Sequence, residues 1–375
     1  MRGRLPLPIL HGEPVFPYWF LFSLFAVGAV QNGRSVVAGR RSSIMLGLAA
    51  LVPMLMIGLR YQVGGDWEVY LFIFQDVRLY DFQGAMSLGD PGYALLNWSA
   101  SALGLEIWAV NLVCGILFCW GLFVFSKEQP NPWLAFAVAV PYLVIVVAMG
   151  YSRQAVAIGL VMAAIVAWDH RRLMRFGIYI LLAATFHKTA VVILPLLALS
   201  SPRNRFIIGA TILVFGWFLY NTFLASAMDR LVTNYVDTAV ASQGAAIRVS
   251  MNLVPAIIYL RWQKRFRLSE GQERMWRYIS YAALGTLVLL LTLSSSTVVD
   301  RLALYLIPLQ LFVFSRLPTV LGEAGRPSGQ TTLAIIAYGA LLQFVWLNFA
   351  THAEWWLPFQ LWPLEGANTL PEGQF

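Results

Sequence analysis

The chain has 375 residues, of which 59% are hydrophobic and only 12% charged, and its mean hydropathy is +0.68. A soluble domain carries about 25% charged residues, so this composition excludes an ordinary soluble enzyme and indicates a polytopic membrane protein. The net charge of +8 is no nucleic-acid signal, because the basic residues sit in short joints between apolar runs, where they set orientation and meet anionic lipid.

Arg2 and Arg4 open the chain, but Pro6, Pro8, Pro14 and Pro17 interrupt the run behind them and no small-residue cleavage pattern follows. The segment is therefore expected to be retained. Runs of about 17 to 25 mostly apolar residues predict membrane helices. They cover Val15 to Val30, Ser43 to Leu59, Glu106 to Phe125, Trp133 to Met149 and Tyr151 to Trp168, then Phe206 to Leu224, Val249 to Leu260, Trp276 to Leu293, Leu302 to Phe314 and Thr332 to Phe349. Cys114 and Cys119 lie within one such run on different faces and are expected as buried small residues.

The second run ends in Arg60-Tyr-Gln-Val-Gly-Gly-Asp66-Trp-Glu-Val-Tyr70, which sets an arginine, a flexible glycine pair and a carboxylate just past an apolar segment. Trp67 to Val77 then places Trp67, Tyr70, Leu71, Phe74 and Val77 on one side, the pattern of an interfacial helix. Asp90-Pro-Gly-Tyr93 is a turn opening Ala94 to Leu103, a segment too short to span. Leu224 to Val236 repeats the amphipathic pattern, so loops 60–105 and 225–248 are expected to be partly helical, all within one transmembrane domain.

Basic joints at Arg34/Arg40/Arg41, at Arg171/Arg172/Arg175 and at Arg261 to Arg277 belong in the cytoplasm. The stretch from Arg175 to Pro202 is flanked by basic joints on both sides, so it must enter and return. Its legs, Phe176 to Phe186 and Thr189 to Leu199, are short, which predicts a hairpin broken at Phe186-His187-Lys188. The fold expected is an all-α polytopic membrane protein with about ten full spans, a broken helical hairpin and outer amphipathic helices.

This topology leaves few ionisable groups at outer span ends: Arg60, Asp66, Arg153, His187, Lys188, Asp300 and Arg301. Charge at such depth is costly and marks function by default. One alternative pairs Asp66 with Arg60 and Asp300 with Arg301 in an inert network. The other is a positive pocket for a lipid-linked anion, since guanidinium groups grip phosphate oxygens through paired hydrogen bonds and stabilise charge growing on a leaving diphosphate. In that reading Arg60, Arg153, Arg301 and Lys188 bind diphosphate. His187 is the base for an attacking hydroxyl, Asp66 is its rival, and Tyr70 and Tyr305 contact sugars.

At these positions the sequence resembles a known family. Arg60-x3-Gly64-x-Asp66-x3-Tyr70, Asp90-Pro-Gly-Tyr, Ser152-Arg-Gln-Ala-Val-Ala, Phe186-His-Lys-Thr-Ala and Arg301-x3-Tyr305 look, in that order, like the EpsG-type, Wzy-like exopolysaccharide polymerases. Asp90 stands where the family's usual residue is Glu; a sugar-binding role is its expectation. The resemblance implies a GT-C-like glycosyltransferase of the cytoplasmic (inner) membrane with its site facing the periplasm or exterior. It would move a glycan from undecaprenyl diphosphate to a sugar hydroxyl of the next lipid-linked unit, with inversion. Donor and acceptor are then undecaprenyl-diphosphate-linked oligosaccharides, with chain-length regulator and export proteins as further partners. No Asp-x-Asp metal site, glycine-rich nucleotide loop or soluble domain occurs, which fits a lipid rather than a nucleotide-sugar donor, and the resemblance implies a metal-independent reaction with no cofactor. Competing readings are a membrane O-acyltransferase acting on a glycan and a lipid-linked oligosaccharide transporter or flippase.

Overall fold

The computed structural model describes residues 15–32, 40–199, 244–292, 296–323 and 326–362, with positions 209, 210, 213 and 217. All the regular structure described is helical. In chain order come α1 (Phe16–Asn32), α2 (Arg40–Gly58), α3 (Trp67–Val77), α4 (Phe82–Ser87), α5 (Pro91–Ala102), α6 (Ile107–Lys127) and α7 (Pro132–Ala139), which runs on into a π-helical segment, Val140–Ala148. Then follow α8 (Ser152–Asp169), α9 (Leu173–Phe186), a 3-10 turn (Lys188–Val192), α10 (Ile193–Leu199), α11 (Ala245–Trp262), α12 (Glu270–Thr292), α13 (Ser296–Leu304), α14 (Pro308–Val320) and α15 (Gly329–Phe349).

Among the described residues five helical stretches are long and apolar enough to cross a membrane: Ile107–Lys127, Ser152–Asp169, Glu270–Thr292, Val299–Val320 and Gly329–Phe349. Shorter apolar helices, Ser42–Gly58, Pro132–Ala148, Leu173–Phe186 and Lys188–Ala198, accompany them. Apart from end residues, every expected span falls on described helix except Phe206 to Leu224, of which only positions 209, 210, 213 and 217 are described, and the amphipathic stretch from Leu224 to Val236 lies outside the described residues. Leu302 to Phe314 crosses the three-residue turn between α13 and α14.

Local chemistry accounts for the boundaries. Asn131 caps α7 by accepting from Leu134 N at 3.1 Å, with Pro132 at the first helical position. Ser328 caps α15 by accepting from Thr331 N. The centre is formed by α6, α7 with its π segment, and α8, where Val140 to Met149 are all buried. A methyl group on Gly121 would sit 2.0 Å from the Gly159 carbonyl oxygen, so α6 and α8 touch backbone to backbone, the use that membrane bundles make of small residues.

The bundle has two chemically different ends. At one, Gln272 donates to Asp169, Arg316 binds Gln129 and the Glu128 carbonyl, and His170 faces Glu128, beside the basic turns at Arg171/Arg172 and Arg261 to Arg267. At the other lie Arg60, Asp66, Asp90, Arg153 and Asp300. There α3, α4 and α5 form an outer layer; α3 buries Trp67, Tyr70, Phe74 and Val77 and exposes Glu68, Val69 and Phe72. The C-terminal stretch closes this end. Gly64 N donates to the Trp355 carbonyl at 2.8 Å, Tyr61 N to Gln360 at 3.0 Å and Trp362 N to Leu59 at 2.7 Å. Tyr18 Oη donates to the Trp356 carbonyl at 2.6 Å, and the buried Trp356 ring donates to Ile145 O at 2.8 Å.

Candidate functional site

Arg60 is 1% exposed, and its guanidinium is spent on the protein. Nε donates to Val63 O at 3.1 Å, Nη1 to Ile57 O at 2.5 Å, and Nη2 to Asn111 Oδ1 at 3.1 Å and Ser152 Oγ at 2.7 Å. This corrects its expected setting among the diphosphate cations: four acceptors from α2, the following loop, α6 and the start of α8 hold it as a clamp. No carboxylate pairs with it among the described residues, so the Asp66–Arg60 pairing is also replaced.

Gly64 has φ of +109°, and a methyl group there would meet Met149 O at 2.2 Å. Only glycine fits both demands. The turn it makes carries Asp66 to the start of α3, facing Arg301 and Arg153, the two charges that act on it most strongly. Burial nevertheless raises the Asp66 carboxyl above the ordinary carboxylate range, against the opposing pull of those arginines.

Asp90 begins α5, whose first residue is Pro91, with Gly92 against Thr185 near the end of α9. Its Oδ2 lies 3.0 Å from Arg153 Nη1 on the first turn of α8. Burial raises the Asp90 carboxyl too, opposed by Arg153 and Lys188. The Arg153 guanidinium lies 5.9 Å from the ring centres of both Tyr70 and Tyr93, and its Nε has no hydrogen-bond partner. The side chain keeps 31% of its surface exposed, and a guanidinium with an open edge is suited to an anion.

His187 is the break between α9 and the 3-10 turn, with extended backbone at φ −156° and ψ 111°. Tyr305 Oη lies 3.0 Å from its Nδ1, and the Thr189 hydroxyl reaches the same nitrogen. With Nδ1 engaged twice, Nε2 is the nitrogen left for a substrate. Arg301 and Arg153 are both close enough to act on the ring electrostatically. Arg301 is exposed and its carbonyl accepts from Gln154 at 2.9 Å; Lys188 is exposed as well. Neither side chain has an ion pair among the described residues.

The structure thus brings together Asp66, Tyr70, Asp90, Arg153, His187, Lys188, Arg301 and Tyr305, and leaves Arg60 behind as framework. Asp300 is buried and pairs with Arg248 of α11, not with Arg301. Arg248 escaped the sequence reading, although an arginine at the outer end of a span, here beside Val249, is the signal that singled out Arg153 and Arg301. Thr189 was also missed; a hydroxyl two residues from a helix-breaking histidine is its only mark. Among the described residues no three His, Cys, Asp or Glu side chains gather into a cation-binding group.

Residues 43–361 match the EpsG family. Neither a curated protein nor a solved structure matches the chain.

Proposed function

This chain belongs to the EpsG family, and from that premise we propose that it is an exopolysaccharide polymerase moving a glycan from undecaprenyl diphosphate to a sugar hydroxyl of the next lipid-linked unit. The observation that carries this reading is the convergence of Asp66, Asp90, Arg153, His187 and Arg301, from five separate stretches, at one end of an apolar bundle. That end is assigned to the outer face, because the opposite end holds the basic turns that the positive-inside rule keeps in the cytoplasm.

In this reaction the acceptor hydroxyl attacks the anomeric carbon from the face opposite the diphosphate. The new carbon–oxygen bond forms as the bond to the diphosphate oxygen breaks, so configuration inverts. His187, holding its Nδ1 proton toward Thr189 or Tyr305, takes the hydroxyl proton on Nε2. The leaving diphosphate carries its electron pair into the field of Arg153, Arg301 and Lys188, which makes the scheme metal-independent. In this proposal Asp66, on which Arg301 and Arg153 act, orients the hydroxyl or serves as the base in place of His187, and Tyr70, Tyr305 and Asp90 contact the sugar.

Arg153→Ala and Arg301→Ala are expected to leave the amount of membrane-inserted protein within about twofold of wild type and to lower polymer by about 100-fold or more. Cells should then accumulate lipid-linked repeats. If polymer falls only where the protein itself disappears, the arginines are framework and the proposal fails. With purified protein, a ladder of products spaced by one repeat separates polymerisation from acyl transfer.

A further inference from the structure

A cavity of about 280 Å³ opens beside the site, between the start of α11, the end of α15 and the π segment. Asp66 lines it, whereas Arg153, His187, Lys188 and Arg301 do not. Asp66, Arg248 and His352 are among its titratable lining residues, and Leu342, Val345 and Phe349 line it from one stripe of α15. That stripe covers about 10 Å of helix axis. Phe349 and Val345 are 67% and 44% exposed, and Ile247 across the gap is 59% exposed, so the apolar part is open sideways where the helices would meet lipid. Arg248 pairs with Asp300, the neighbour of Arg301, which joins this cavity to the cation cluster.

We infer that this cavity holds the first isoprene units of the donor lipid, whose diphosphate sits on Arg153 and Arg301 and whose tail leaves the bundle sideways between α11 and α15. The inference rests on the polymerase reading. A diphosphate bound to the cluster must lead its hydrocarbon out of water within one or two bonds. An apolar slot that begins at Asp66 and Arg248 and is open toward lipid meets that need, because the tail passes from it into the bilayer without crossing water. A saccharide would be served less well, because the wall along α15 and at Ile247 is mostly hydrocarbon.

The test uses the full chain in lipid nanodiscs and a sugar-free polyprenyl diphosphate with a diazirine on its first isoprene unit. Photolysis should label Leu342 to Phe349 and the neighbourhood of Ile247. Unlabelled polyprenyl diphosphate should compete, and phosphatidylglycerol should not. Val345→Trp, which fills the slot, should cut this labelling about tenfold. Leu341→Trp, on the exposed side of the same helix and outside the cavity, should leave it unchanged, and thermal unfolding of both variants checks that each is folded. Labelling that avoids the cavity, or that phosphatidylglycerol or a lipid-free oligosaccharide displaces equally well, overturns the inference. The same discs supplied with lipid-linked repeats separate the two claims: wild type that makes polymer without labelling the cavity loses only the tail assignment, while wild type that makes none loses the polymerase reading.

Discussion

Arg60 and Arg153 carry the same group into opposite surroundings. Arg60 meets four acceptors and no carboxylate among the described residues, while Arg153 spends one nitrogen on Asp90 and keeps Nε unpartnered. Arg60→Ala leaves those acceptors buried and unsatisfied, and should cost about 3–5 kcal/mol of stability. Arg60→Lys should rescue little, since one ammonium cannot match a planar fork. A melting temperature in detergent checks this; Arg60→Ala protein that melts like wild type yet makes no polymer would return Arg60 to the diphosphate. Asp66 yields a pH prediction. A base must be ionised, so activity rises as pH climbs through its pKa, and burial raises the Asp66 carboxyl above the ordinary carboxylate range. If Asp66 is the base, the acid limb of kcat/KM lies above that ordinary range and vanishes in Asp66→Asn. An acid limb that survives that substitution gives the role to another group.

At the level of elements, the helix break at His187 and the backbone contact of α6 with α8 matter most. Thr189→Val removes one of the two hydroxyls that orient the imidazole, and should slow polymer formation about tenfold with yield unchanged. An unchanged rate would mean that Tyr305 suffices. Gly159→Leu would drive a side chain into the α6 backbone near Phe118 and should destabilise by about 3 kcal/mol; a wild-type melting temperature would show that the helices can separate without loss. Membrane helices were legible because apolar length is a local property of sequence, and the break at His187 was legible because two basic flanks demanded it. The π segment was not, since Val140 to Ala148 reads as one apolar run whatever its hydrogen-bond period. Arg60 was misplaced for a related reason: its partners Asn111 and Ser152 are distant in sequence, and nothing local distinguishes a clamp from a ligand-binding cation.

Across the whole molecule, charge is divided between two ends, and one of them is closed by residues 353–362. Deleting that stretch removes the partners of Gly64, Tyr61, Leu59 and Tyr18 and the buried Trp356, and should cost about 4 kcal/mol or more. Polymer should be lost with it, because the loop bearing Asp66 is no longer held, and a shortened chain that still polymerised would refute this. Chains leave the ribosome from the amino end, and their early parts settle first. The loop that presents Asp66 therefore waits, after its neighbouring helices are already in the bilayer, for partners translated almost three hundred residues later. Until they emerge a nascent chain can pair Arg153 with Asp90 but has no anchored Asp66, so in the proposed reaction competence arrives late in synthesis and all at once.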